Sequence, residues 1–182
     1  MLMKKITLII LMLCSMVISA QEINWMTFEE AVEAQKKEPR KIMVDAYTTW
    51  CGPCKLLDKH TFQNKDLVKY VNDNYYAVKF NAEGNETVAF KEYTFSNPNF
   101  DPNRKNGRNS PHQLTSYFRV TGYPTMLFLD EESNFLLPIS GYRTPRQLEI
   151  YLKLFGSDAY KNITSKEAWQ EYASGFKYEF IE

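Results

Sequence analysis

A chain of 182 residues with 44% hydrophobic and 15% aromatic residues suits one domain that buries a real core without extra staples. Its 22 basic residues balance 22 acidic ones, so the formal net charge of +0 argues against nucleic acid or an anionic membrane surface as the main partner. Three cysteines are too few for a disulfide scaffold.

The chain opens with Lys4 and Lys5, then an apolar run from Ile6 to Ile18, shorter than the ~20 residues of a comfortable bilayer span. Ser19-Ala20 supplies small residues before a cut between Ala20 and Gln21, so residues 1–20 read as a cleaved secretory signal, with an uncleaved anchor as the alternative. Cys14 follows Leu13 rather than the small residue of a lipoprotein cut and reads as apolar filler, which leaves Cys51 and Cys54 in the mature chain. Thr27-Phe28-Glu29-Glu30 is a capping box that opens a helix to about Lys37, ended by Pro39. Ile42 to Tyr47 is a nearly continuous apolar strand of the kind buried on both faces. The segment Trp50-Cys51-Gly52-Pro53-Cys54-Lys55 then opens a helix through Leu56 and Leu57 to near His60. A second helix from Asp66 to Asn72 carries Leu67, Val68 and Val71 on one face, and Tyr76 to Phe80 is the next strand.

From Asn81 to Ser110 Gly84, Pro98, Pro102, Gly107 and many Asn break any period, with Val88 to Phe95 read as a short helix or strand; so long a connection is expected to be functional or mobile. Ser110-Pro111 reads as an N-cap with Pro at the first helical position, leading into Leu114, Tyr117 and Phe118. Thr125–Leu129 and Phe135–Tyr142 are strands around a polar turn at Asp130 to Asn134. Thr144-Pro145-Arg146-Gln147 starts a helix with Leu148, Tyr151, Leu152 and Phe155 inward, stopped by Gly156. A second capping box, Thr164-Ser165-Lys166-Glu167, opens a last helix with Trp169 and Tyr172. A βαβ unit followed by ββα predicts an α/β fold with a mixed sheet and helices on both faces.

The chemistry concentrates at Cys51 and Cys54. If a helix starts there, the first thiol sits at its N-terminus, where unpaired N–H groups and the macrodipole favour a thiolate, the form that attacks a disulfide. The second cysteine is close enough to close a short ring and release the product. That ring is too small to stabilise the fold much by chain entropy, so its purpose is chemical. Gly52 leaves room for a partner chain, and Pro53 stiffens the turn where a backbone donor has no partner anyway. Asp45 lies in an apolar strand, where ionisation is costly, so its pKa is expected to rise and its carboxylate to accept the Cys54 proton, with Lys79 moderating the charge. The residues alone equally allow Asp45 as a local cap and Lys79 as an exposed strand lysine. Trp50 either shields the thiols and docks a partner or simply packs. Zinc wants four ligands in a structural site. Beside the cysteine pair the chain has only His60, on a solvated helix face, and His112, expected at the surface; no metal or cofactor is expected.

The hexapeptide Trp50–Lys55 is identical to the active-site motif of thioredoxins, which the chain resembles from roughly Glu22 to Gly156. Asp45 matches the family's buried acid, Lys79 its lysine on the next strand, and Tyr123-Pro124-Thr125 its cis-proline loop. The Asn24-Trp25 start, the first helix and the insertion resemble exported bacterial members, among them thiol:disulfide interchange proteins. The resemblance implies a thioredoxin-like domain over 21–160 with an insertion at about 81–110 before the cis-Pro loop, and a C-terminal helical extension over 161–182. It implies catalysis by Cys51, Cys54, Asp45 and Lys79 through a redox-active Cys51–Cys54 disulfide, and substrate binding at Trp50, Gly52, Pro53, Tyr123 and Pro124, with the Tyr123 backbone pairing an extended peptide. It further implies a periplasmic monomer that exchanges electrons with protein thiols and disulfides and draws them from a membrane-bound donor. Gly-Pro between the cysteines resembles the strongly reducing members and favours a reductase. An oxidase or isomerase with the same residues is the enzymatic alternative. A redox-responsive binding module, holding a partner through the insertion and the tail aromatics Trp169, Tyr172, Phe176, Tyr178 and Phe180, is the alternative of another class.

Overall fold

A central strand with no exposed face organises the chain. The computed structural model describes residues 22–181, so the signal expected over 1–20, Cys14 included, lies outside the described residues. Strand β1 (Trp25–Met26) leads into helix α1 (Phe28–Lys37). The first capping box closes as the sequence predicts: the Thr27 N–H donates to Glu30 at 2.8 Å and the Glu30 N–H to the Thr27 hydroxyl at 3.2 Å. Strand β2 (Lys41–Tyr47) follows, then α2 (Gly52–Leu56), α3 (Lys65–Asn74) and β3 (Tyr75–Asn81). After the hairpin β4 (Val88–Phe90) and β5 (Tyr93–Phe95) come α4 (Gln113–Tyr117), β6 (Thr125–Leu129), β7 (Phe135–Ser140), α5 (Pro145–Gly156) and α6 (Lys166–Gly175).

The sheet order is β1-β3-β2-β6-β7, with β2 parallel to β3 and antiparallel to β6. This is a thioredoxin fold: a mixed sheet with helices on both faces. Alternation along β2 sends Ile42, Val44 and Ala46 into the core under α1, α4 and β4. Met43 and, two residues on, Asp45 take the opposite face, whose core is closed by Leu57, by Leu67 and Val71 of α3, and by Leu148 and Leu152 of α5. That face is also the one covered by the segment that carries the cysteines.

Several local expectations are corrected. The helix after the cysteines does continue to Thr61, but beyond Leu56 it widens into a π-type turn in which the Phe62 N–H reaches the Leu57 carbonyl at 3.0 Å. Ser110 does not cap α4. His112 does, its Nδ1 accepting the Leu114 N–H at 3.1 Å, and the ring is fully buried rather than at the surface. Burial pulls its pKa down, while Nε2 meets the Glu86 carbonyl at 2.9 Å and the ring packs edge-on to Phe80. Local pattern could not show this, because the groups that hold the imidazole lie on the far side of the insertion. At the last helix the cap is Ser165, not Thr164: its hydroxyl accepts the Ala168 N–H, and with Ala at that position no reciprocal carboxylate is available.

The connection from Asn81 to Ser110 contributes to the core. Val88 and Phe90 are buried, and Phe90 meets Phe28 edge-on at 5.1 Å and Phe118 at 5.6 Å. Phe90→Leu keeps most of the volume but loses these ring contacts, and is expected to cost about 1–1.5 kcal/mol in denaturant unfolding. Tyr93→Ala, on a side chain 61% exposed, should cost under about 0.5 kcal/mol.

Candidate active site

Thr48, Thr49 and Trp50 carry the chain from the end of β2 to Cys51, the N-cap of α2. The Cys54 N–H donates to the Cys51 sulfur at 3.1 Å, and the two sulfurs are bonded, with Cα atoms 5.3 Å apart. Pro53 stands in the first turn of α2, where its missing N–H costs no bond. Both cysteines are 2% exposed, whereas Gly52 and Pro53 are exposed between them. A Cβ on Gly52 would meet nothing within 4 Å, so this side stands open. Ala46 of β2 pairs with Thr125, which sets the residues before β6 at the same end of the sheet as the cysteines. There the Tyr123–Pro124 peptide is cis, Pro124 is buried, and the Tyr123 ring meets Trp50 edge-on at 6.1 Å.

Beneath this surface lies a charge cluster centred on the buried Asp45. Asp45 and Lys79 are register partners on neighbouring strands, and Lys79 Nζ sits 2.7 Å from Asp45 Oδ2. Lys79 also pairs with Asp58, from the π-type turn. Its ammonium lies 5.0 Å from the ring centres of Trp25 and Tyr47 and 5.1 Å from that of Phe62, an aromatic setting that favours a cation. Asp45 is fully buried; among the described residues it caps no backbone group and its Oδ1 has no hydrogen-bond partner. Burial pushes its pKa up and the Lys79 charge pulls it partly back, leaving it raised from the ordinary 3.8 to about 6. Lys79 is the mirror case: burial disfavours its charge, but Asp45 and Asp58 more than offset this and hold its pKa above the usual value.

Further residues around the site were not singled out by sequence reasoning. Asp58 carried a usable signal, since it stands four residues after Cys54 on the same helical segment. Trp25 was marked only as part of the Asn24-Trp25 start of the resemblance; its place beside Lys79 had no signal, because its strand has two residues and no periodicity. Glu83 could not be foreseen: its Oε2 accepts both the Trp50 indole N–H at 2.7 Å and the Asn109 N–H at 2.8 Å. The end of the insertion is thereby fastened to Trp50, with the Arg108 guanidinium 4.6 Å above the indole and the Thr49 hydroxyl donating to the Lys105 carbonyl at 3.2 Å. Of the tail aromatics, Phe180 is buried in the core under α5, where Glu149 accepts the Glu179 and Phe180 N–H groups, and Trp169 stacks on Tyr151.

Comparisons with known proteins agree with this geometry. The model of the thioredoxin-like domain family matches residues 28–156. The thiol:disulfide interchange protein DsbD of Actinobacillus pleuropneumoniae is 28% identical over 120 residues, which is 62% of this chain and 17% of that protein. The chain thus spans about a sixth of the length of the curated relative it matches. Among solved structures, a thioredoxin-fold protein from Helicobacter pylori aligns with a TM-score of 0.58 at 18% identity, over 75% of this chain and 81% of the other. A candidate disulphide-isomerase from Bacteroides thetaiotaomicron aligns with a TM-score of 0.52 at 25% identity, over 78% of this chain and 98% of the other.

Proposed function

Because the chain belongs to the thioredoxin-like domain family, we propose that it is an exported thiol–disulfide oxidoreductase working as a protein-disulfide reductase. The observation that carries this reading is the Cys51–Cys54 disulfide at the start of α2, on the sheet face where β2 holds Asp45. In the reduced protein the Cys51 thiolate attacks one sulfur of a substrate disulfide, and the substrate's other sulfur leaves as a thiolate and takes up a proton. Asp45, ionised near neutral pH, takes the Cys54 proton, and Cys54 attacks Cys51 in the mixed disulfide. The Cys51–Cys54 bond forms, the second substrate thiol leaves, and two electrons have passed to the substrate. Lys79 keeps the ionised form of Asp45 within reach, a positioning role supported by the 2.7 Å pair.

Trp50, Gly52, Pro53, Tyr123 and Pro124 form the substrate surface in this reading. Tyr123 lies just outside β6, and its backbone makes no hydrogen bond among the described residues, which suits pairing with an extended peptide. We place the protein in the periplasm as a monomer, with a signal over 1–20, the catalytic domain over 21–160 and a helical extension over 161–182. A reductase there needs re-reduction, and a membrane-bound dithiol donor fits that need. Among the described residues no helix is long and apolar enough to cross a membrane.

Gly52-Pro53 between the cysteines supports the reducing direction. The likeness to the candidate disulphide-isomerase favours a second reading, isomerisation or oxidation by the same residues. Equilibration of residues 21–182 with glutathione buffers separates the two. The expected Cys51–Cys54 potential is about −250 mV or lower; a value near or above about −180 mV would reverse the direction. Insulin reduction should accompany the low potential.

A further inference from the structure

We propose that the end of the insertion, residues 101–110, is a basic docking rim that selects partner segments carrying acidic residues beside their reactive cysteine; this rests on the oxidoreductase reading. In a chain of net charge +0, this stretch holds Arg104, Lys105 and Arg108 against one carboxylate, Asp101. Asp101 serves the loop itself, its Oδ1 accepting the Asn103 N–H at 2.9 Å. All three cations are exposed, and none forms an ion pair among the described residues.

The rim is held in place rather than trailing in solvent. The Asn109 side chain accepts the Asp101 N–H at 2.9 Å and donates to the Asp101 carbonyl at 2.8 Å, closing the loop on itself. Thr49 grips the Lys105 carbonyl, and Glu83 binds Asn109 and Trp50 together through one oxygen. Neutral N–H donors leave the Glu83 charge in place, so the three cations of the rim stand against two carboxylates, Asp101 and Glu83, and the rim keeps a positive excess. Arg108 stacks on Trp50, the residue directly before Cys51. A guanidinium stacked on a ring keeps its N–H edge for a carboxylate, which it holds in a fixed, bidentate fork. A partner peptide reaching Cys51 across the open Gly52 side passes this edge, so an acidic neighbour of its cysteine gains a charge partner and a basic one meets repulsion.

The test compares three disulfide-linked peptides that differ only in the residues flanking the cysteine: Asp-Asp, Ser-Ser and Lys-Lys. With stoichiometric reduced protein at low ionic strength, the ratio of second-order reduction rates of the acidic to the basic peptide is expected to be about tenfold. It should fall toward one in about 1 M salt, where the screening length is ~3 Å. In the triple variant Arg104→Glu, Lys105→Glu, Arg108→Glu the ratio should invert. Because each ratio is taken within one preparation, a change in folded fraction or general rate cancels. A wild-type ratio near one, or a ratio that charge reversal does not move, with all three peptides still reduced, overturns the rim and leaves the oxidoreductase reading standing. Failure to reduce any of the three overturns both.

Discussion

Cys54→Ser is expected to accumulate partner proteins as mixed disulfides on Cys51, and Cys51→Ser to lose insulin reduction by on the order of 10³-fold or more, to the level of background exchange. The asymmetry follows from position. Cys51 is the N-cap of α2 and its sulfur already accepts the Cys54 N–H, an arrangement that stabilises negative charge on the first sulfur. Cys54 lies in the first turn and acts only after a partner is bound. Without it, the mixed disulfide has no neighbouring thiol to release it. Non-reducing gels and intact mass of the trapped species check the first variant, and insulin turbidity the second. If Cys54→Ser captures nothing while Cys51→Ser still turns over, the order of attack is reversed or the chemistry lies elsewhere.

Asp45→Asn is expected to stabilise the oxidised protein at neutral pH by on the order of 3 kcal/mol while slowing its turnover by roughly a hundredfold. The sign follows from linkage. The folded carboxyl binds its proton more tightly than the unfolded one, at about 6 against 3.8, because burial disfavours the anion and Lys79 only partly compensates. Below pH 3.8 the group is protonated in both states and no penalty exists. As pH rises through the interval to about 6, the unfolded chain ionises first and the fold loses stability, with the full loss present above pH 6. The variant has no charge to bury, so its advantage should be largest above that range and vanish near pH 4. Urea unfolding as a function of pH reads this difference, and a constant advantage at every pH would mean that charge burial is not its cause. The rate loss belongs to the step in which Cys54 gives up its proton, so initial capture by Cys51 should change far less than release. An equal loss in both steps would reduce Asp45 to a structural part.

Lys79 and Asp58 make that balance adjustable. The ammonium serves two carboxylates and is lined by three aromatic rings, so the Asp45 charge is neither free nor fully neutralised. A fully compensated ion pair would hold Asp45 permanently ionised, and an isolated carboxyl would stay protonated to higher pH. A group that is to take and return a proton near neutrality needs the intermediate condition.

The readable parts of this molecule were those whose cause is local. The capping boxes at Thr27 and Thr144 and the apolar run of β2 act within a few residues, so period and start signals located α1, β2 and α5, although Gly156 lies inside α5 and Ser157 is its C-cap. The hexapeptide from Trp50 to Lys55 is likewise a local pattern, and the spacing of Asp45, Lys79 and Pro124 from it was enough to recognise the fold. Residues whose partners lie far along the chain were not readable. Spacing from Cys54 marked where Asp58 stands on the helix but not its pairing with Lys79, and His112 is buried because the insertion folds back over it. Arg108 stands over Trp50 only because Glu83 and Asn109 fasten the insertion to the indole. The sequence by itself therefore determined the fold class and the cysteine pair, the first through the family resemblance that the hexapeptide opens and the second through the local Cys51–Cys54 spacing. Only the tertiary structure decided the electrostatic setting of Asp45 and the surface a partner meets, since both arise where strands and loops distant in sequence are brought within hydrogen-bonding reach.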